Sequence, residues 1–311
     1  MSGAALQRPR PADALLLTIA VGAISASGPL IALATAPALA LAFWRCALGS
    51  AATAAVVLST PRLRTEMRSL DRRGWTRAVL AGLLLGAHFA LWMPSVRLTS
   101  VAAATALIAT QPVWAVLIAR CRGEAVSGRV WLGVGLALAG VLLLVRVDLA
   151  VSWRAVLGDL MALASAVLAA AYVTAGGEVR QRVSAPSYTL IAYGTAAVPP
   201  LLIALLLREQ VSGFALREWV LILILTLTAQ LLGHTLINIT LRRVSPTVTS
   251  LAILFELPGA VIIAALLIGQ VPPLIVLPVL VILFIGLALV ITAAPTGLGA
   301  AATQVREDPP V

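Results

Sequence analysis

Four polar side chains recur at every fourth position through one apolar stretch: Thr226, Gln230, His234 and Asn238, with Leu and Ile between them. On a helix, that spacing lays them along a single stripe. Amides and an imidazole so arranged can hydrogen-bond a polar solute or pass a proton. His88 and Trp92 share a helical face by the same spacing, and the chain has no histidines besides His88 and His234. Glu256 lies in the middle of another apolar run, where an ionised carboxylate in hydrocarbon costs roughly 2.5–3.5 kcal/mol. It must bind a partner, face water or carry a proton. Arg45 also sits inside an apolar run. Its guanidinium could snorkel to the surface or pair structurally. It could also recognise a carboxylate or phosphate through a forked pair of hydrogen bonds. Gln111 and Trp114 follow Thr110 in a further run. For the histidines and amides, lining a cavity competes with hydrogen bonding between helices. Trp44, Tyr172 and Tyr193 are aromatic surfaces for stacking or for packing.

These residues do not form a catalytic pattern. There is no HExxH, GxSxG, P-loop or CxxC. Two histidines and one glutamate in separate runs carry no metal-ligand spacing. The chain therefore reads as a non-enzyme without cofactor or metal. A channel filter sequence is also lacking.

The elements that hold these side chains are membrane spans. The chain of 311 residues is 61% hydrophobic and 11% charged, with mean hydropathy +1.04. A soluble domain could not cover that much apolar surface. Runs of about 20 residues match the bilayer core. Ten are read: 14–34, 38–59, 76–96, 99–119, 129–147, 154–175, 187–207, 218–240, 246–268 and 275–293. The fold class is thus an all-α integral membrane protein.

The second five runs repeat the first five. A shift of 146 residues brings His88 onto His234, Arg97 onto Arg243 and Pro112 onto Pro258. It also aligns Gly123 with Gly269, Gly140 with Gly286, and Asp13 with Asp159. A repeat with an odd number of spans must invert in the membrane, an architecture of secondary transporters with the site between halves. The organisation is a tail at 1–12, repeats at 13–147 and 154–293, and a tail at 294–311. Asp13 and Asp159 would open the first helix of each repeat, where a negative charge suits the dipole. Pro112 and Pro258 suggest a symmetric bend around a central cavity, or ordinary packing kinks. Thr99-Ser100 and Ser245-Pro246 read as helix starts. Gly82 and Gly86 allow close packing.

The net charge of +10 is not a nucleic-acid signal. All 22 basic residues are arginine; 16 fall in loops on the N-terminal side and five on the opposite side, with Arg45 inside a span. The positive-inside rule puts both termini in the cytoplasm of a cell with this inner-membrane protein. Cys46 and Cys121 fall near opposite faces and cannot form a disulfide; both read as small buried residues. Arg8, Arg10 and Ala32-Leu33-Ala34 imitate a signal peptide, but the run is too long for one.

Two sets of motifs carry a family resemblance. One is Ala106-Leu107-Ile108-Ala109-Thr110-Gln111-Pro112-Val113, followed by Gly123-Glu124, Trp131-Leu132-Gly133 and Gly140-Val141, with Ala42-Phe43-Trp44-Arg45-Cys46-Ala47 before it. The other is Gly233-His234-Thr235-Leu236, Leu241-Arg242-Arg243-Val244-Ser245-Pro246 and Phe255-Glu256-Leu257-Pro258. The chain resembles the EamA family of the drug/metabolite transporter superfamily. The resemblance implies ten helices in two inverted five-helix repeats, a central cavity and alternating access. Such proteins commonly export amino acids or other metabolites. Gln270 replaces the acid that Glu124 supplies in the first repeat, and Glu256 stands two residues before Pro258 rather than directly before it.

The expectation is a secondary transporter of a small amphipathic solute, amino-acid-like and exported. His88, Trp92, Gln111, Trp114, Gln230, His234, Asn238 and Glu256 would bind the solute, with Arg45 for an anionic group. The partners are a small-molecule solute and the lipid bilayer, with no nucleic acid; proton coupling and a homodimer stay open. The alternatives are an importer or facilitator of a vitamin or nucleotide-like solute, and a membrane scaffold.

Overall fold

The computed structural model describes residues 11–123, 125–180, 183–233, 236 and 252–293. Among these residues the chain is all helix, without strands. Nine helices are long and apolar enough to cross a bilayer, and Ala252–Ile268 is a shorter apolar helix. Their outer faces are greasy: Leu142, Leu206, Leu266 and Leu274 are each 70% exposed or more. Only lipid covers such a surface without penalty.

The first span is α1 (Pro11–Ser25) and α2 (Ser27–Leu33); the second is α3 (Ala38–Ser59). A short surface helix, α4 (Pro61–Ser69), leads into the third span, α5 (Arg72–Leu98). The fourth span divides into α6 (Val101–Ile108) and α7 (Gln111–Cys121). The fifth and sixth are α8 (Gly128–Leu149) and α9 (Trp153–Arg180). The seventh divides into α10 (Ala185–Ala196) and α11 (Val198–Leu206). The eighth begins as α12 (Leu216–Leu225) and loosens into a π segment, Thr226–Gly233. The last described helices are α13 (Glu256–Ile268) and α14 (Val276–Ala293).

Proline explains most of the breaks. Pro112 and Pro258 lie in the first turns of α7 and α13, just after interruptions at Ala109–Thr110 and Phe255. Proline lacks the amide that would continue the helix, and its ring crowds the preceding turn. An interruption just before each of the two aligned prolines is therefore present. Gly123 and Gly269 also match: φ is 89° and 67°, a left-handed conformation that glycine adopts without strain as a helix ends. The first span breaks at Ala26, three residues before Pro29. Its repeat partner α9 runs unbroken because Ala175 stands where Pro29 would align.

The repeats exchange partners as an inverted pair would. The first span packs against the eighth and ninth, and the sixth packs against the third and fourth. The second packs on the seventh, and the fifth on the tenth. Small residues set these distances. A Cβ on Gly86 would lie 2.4 Å from the Ala196 carbonyl oxygen, and one on Gly286 would lie 2.4 Å from the Ala137 nitrogen.

Two expectations need revision. Asp159 does not open its helix: α9 begins at Trp153, and Ser152 serves the helix start by accepting the Ala155 N–H at 3.1 Å. Asp159 thus sits nearly two turns inside and fully buried. Asp13 does lie in the first turn of α1. Cys121 is exposed at the end of α7, unlike the buried Cys46. Ser100 caps α6 as expected, accepting the Ala103 N–H at 3.0 Å, whereas Ser245-Pro246 lies outside the described residues.

Candidate functional site

Arg45 projects from α3 into the bundle and is only 3% exposed. It does not snorkel. Its Nε donates to Gln230 Oε1 at 2.6 Å, and one terminal nitrogen reaches Ser27 Oγ at 3.3 Å. The guanidinium lies 4.4 Å over the Phe89 ring, a cation–π contact. Glu256 and Tyr193 are within its electrostatic reach. Arg45 and Glu256 form no direct ion pair among the described residues.

Local irregularities aim these groups at one another. Ser27 begins α2 immediately after the first-span break, and Ser25 Oγ on the other side lies 3.3 Å from the Glu256 carbonyl oxygen. Glu256 begins α13, so its carboxylate stands at a helix N-terminus beside the positive end of the dipole. Gln230 comes from the π segment, a geometry frequent at functional sites. Gly49 makes room for it: a Cβ there would lie 2.5 Å from Gln230 Nε2. That Nε2 is buried without a hydrogen-bond partner among the described residues. A buried amide donor left unpaired costs about 1–3 kcal/mol, which an arriving acceptor would recover.

His88 and Trp92 line up on α5 as expected. Their rings are nearly parallel, 9° apart, with centroids separated by 6.1 Å. His88 Nδ1 lies 3.0 Å from the Ser165 carbonyl oxygen on α9, so Nδ1 is the donor there. Trp92 Nε1 is buried without a partner among the described residues. Between them, Phe89 carries the contact to Arg45. Thr226 and Gln230 are both buried, so their stripe faces inward. His234 and Asn238, which the sequence spacing adds to that stripe, lie outside the described residues.

Gln111 and Trp114 are half-buried on α7. Trp114 Nε1 donates to Thr110 Oγ1 at 3.0 Å, one turn back on its own span. No hydrogen bond or ring contact among the described residues joins either residue to Arg45 or Gln230. Trp44 is also remote: its Nε1 donates to the Val211 carbonyl at 2.7 Å, and its ring packs edge-on against Trp219. Ser27, Phe89 and Gly49 were missed from sequence. Gly49 carries a usable signal, one helical turn after Arg45.

Both ends of the bundle are fastened across the repeats. Glu218 Oε2 accepts the N–H groups of Thr35 and Ala36 at 2.8 and 2.9 Å. Arg97 donates to the carbonyls of Ile31, Ala34 and Ala36 in the same turn. Arg217 pairs with Glu218 at 2.7 Å. At the opposite end, the Glu66 carboxylate accepts the backbone N–H and the hydroxyl of Ser184.

A family model described as the EamA-like transporter family matches residues 13–146 and again 156–292. No curated protein matches the chain. Thirteen chains of solved structures do. One, a crystal structure of a protein 22% identical, superimposes with a TM-score of 0.61 over 91% of this chain and 98% of its own, a likeness of fold. The chain belongs to the EamA-like transporter family, of the drug/metabolite transporter superfamily, and is a multi-pass membrane protein.

Proposed function

We propose that this member of the EamA-like family carries a small zwitterionic metabolite of amino-acid type across the cytoplasmic membrane, outward, by alternating access. The observation that carries the reading is the buried Arg45 held by an amide, a hydroxyl and an aromatic face, with Glu256 in electrostatic reach but not paired to it. A solute carboxylate can take two guanidinium donors. Its ammonium can take the Glu256 carboxylate. One bound zwitterion would thus neutralise the buried Arg45 and the half-buried Glu256, each of which is costly alone in the bundle interior. Gln230 Nε2 and Trp92 Nε1 are donors in the same interior. His88, Gln230 and Glu256 line the route, with His234 and Asn238 assigned to it by their spacing from Gln230 and Gln111 and Trp114 contributed by the fourth span.

The arginine bias supports cytoplasmic termini, and outward movement follows the habit of the family. Repeats 13–147 and 154–293 are the halves that move against each other. The fastenings at Glu218 and Glu66 are the contacts that alternate.

Purified protein in liposomes, loaded singly with standard amino acids, tests this by counterflow of the labelled compound. At least one zwitterion should exchange, and Arg45→Gln should abolish the exchange. Exchange that is confined to anions or to apolar solutes lacking a carboxylate would defeat the reading.

A further inference from the structure

One buried carboxylate lies away from Arg45, and the transport reading does not use it. Asp159 is 0% exposed, and neither of its carboxylate oxygens has a hydrogen-bond partner among the described residues. It faces Asp148, at the end of α8, and Thr99, at the end of α5. The packing is close: a Cβ on the adjacent Gly158 would lie 2.8 Å from the Thr99 nitrogen. Thr99 Oγ1 donates to Asp148 Oδ2 at 3.0 Å. Two carboxylates therefore share a single visible donor, and that donor serves Asp148. Asp148 and Thr99 also line a cavity of about 320 Å³, with Ser100, Ser152 and Gln270 on its wall.

A carboxylate that is fully buried and faces a second carboxylate cannot stay ionised cheaply without a counter-charge. The charged groups nearby do not provide one. Arg146 and Arg154 are exposed, and Arg97 turns to the carbonyls of the first span. From the elements packed on α9, Asp148 is the charged group that faces Asp159. A proton meets the need. Held on Asp159, it removes the charge that has neither solvent nor a hydrogen-bond donor around it.

We propose that Asp159, which faces Asp148, is a binding site for one proton, exchanged with the adjoining cavity, and that this site couples proton movement to transport. The coupling rests on the transporter reading; the proton site does not. The helix supplies the link. Ser165, whose carbonyl accepts from His88, lies six residues beyond Asp159 on α9, and Phe89 beside His88 touches Arg45. Loading or losing the proton changes the charge at one end of the α9–α5 contact whose middle borders the solute site.

Two measurements separate these claims. Dicyclohexylcarbodiimide modifies protonated carboxyl groups in apolar surroundings. On the purified protein at neutral pH, mass spectrometry should find the adduct on Asp159. Absence of an adduct from Asp159 would overturn the proton site, whether or not any solute moves. In liposomes with a trapped pH dye, an added mixture of standard amino acids should drive proton movement. That movement should be lost in Asp159→Asn and restored in Asp159→Glu, while solute exchange continues. Proton movement undiminished in a folded, exchanging Asp159→Asn protein would overturn the coupling. So would a requirement for sodium in place of the proton.

Discussion

Gly49→Ala tests the Arg45 site through a single methyl group. The new Cβ would sit 2.5 Å from Gln230 Nε2 and 3.2 Å from Gln230 Cδ, with the Tyr193 ring at 3.4 Å. The obstacle is the end of a flexible side chain, so the backbone can stay and the amide must withdraw. Withdrawal stretches the 2.6 Å bond from Arg45 Nε beyond hydrogen-bonding distance. A hydrogen bond to a charged group contributes about 1.5–3 kcal/mol. That is the expected loss of stability in mixed-micelle unfolding, equivalent to roughly tenfold to hundredfold in the equilibrium. Gln230→Ala should cost a similar amount. The two changes should not add: with the amide gone, the Gly49 methyl enters vacated space, and the second substitution should cost little. A double-mutant cycle measures this directly. If Gly49→Ala costs the same with and without Gln230, the amide is not what the methyl strikes, and the reasoning about the Arg45 clamp fails.

Other outcomes follow from the same contacts. Gly86→Ala places its methyl 2.4 Å from the Ala196 carbonyl oxygen on a neighbouring backbone, so folded yield in detergent should collapse where Gly49→Ala survives. Glu218→Ala removes the acceptor of two backbone N–H groups between the first and second spans and should loosen that end of the bundle. Faster modification of the buried Cys46 by a membrane-permeant maleimide would register the loosening, and an unchanged rate would count against it. In the unaltered protein, a hydrophilic maleimide should modify the exposed Cys121 and spare Cys46; equal reaction at both would contradict their placement.

Much of this architecture was legible in one dimension. Span lengths follow from bilayer thickness, and the repeat shows in rare residues at one spacing. Pro112 with Pro258 and Gly123 with Gly269 proved to mark real paired features, because proline and glycine constrain the backbone locally. The candidate site was legible only in its inventory. Gln230 and Arg45 were both singled out, but nothing in their spacing joins residues 185 positions apart. Trp114 looked available for a solute, yet its indole hydrogen is taken by Thr110. Asp159 looked like a helix opener because its alignment with Asp13 holds in sequence; α9 starts earlier, at Trp153, and draws it inside.

The sequence by itself determined that this chain lives in lipid, repeats once and belongs among transporters. Those properties depend on hydrophobic length, periodicity and local backbone chemistry, all of which are written along the chain. Only the tertiary structure decided which way Arg45 points, that the first span breaks where the sixth does not, and that two aspartates from different spans meet at one end. Burial and pairing are properties of neighbours in space, and packing chooses those neighbours.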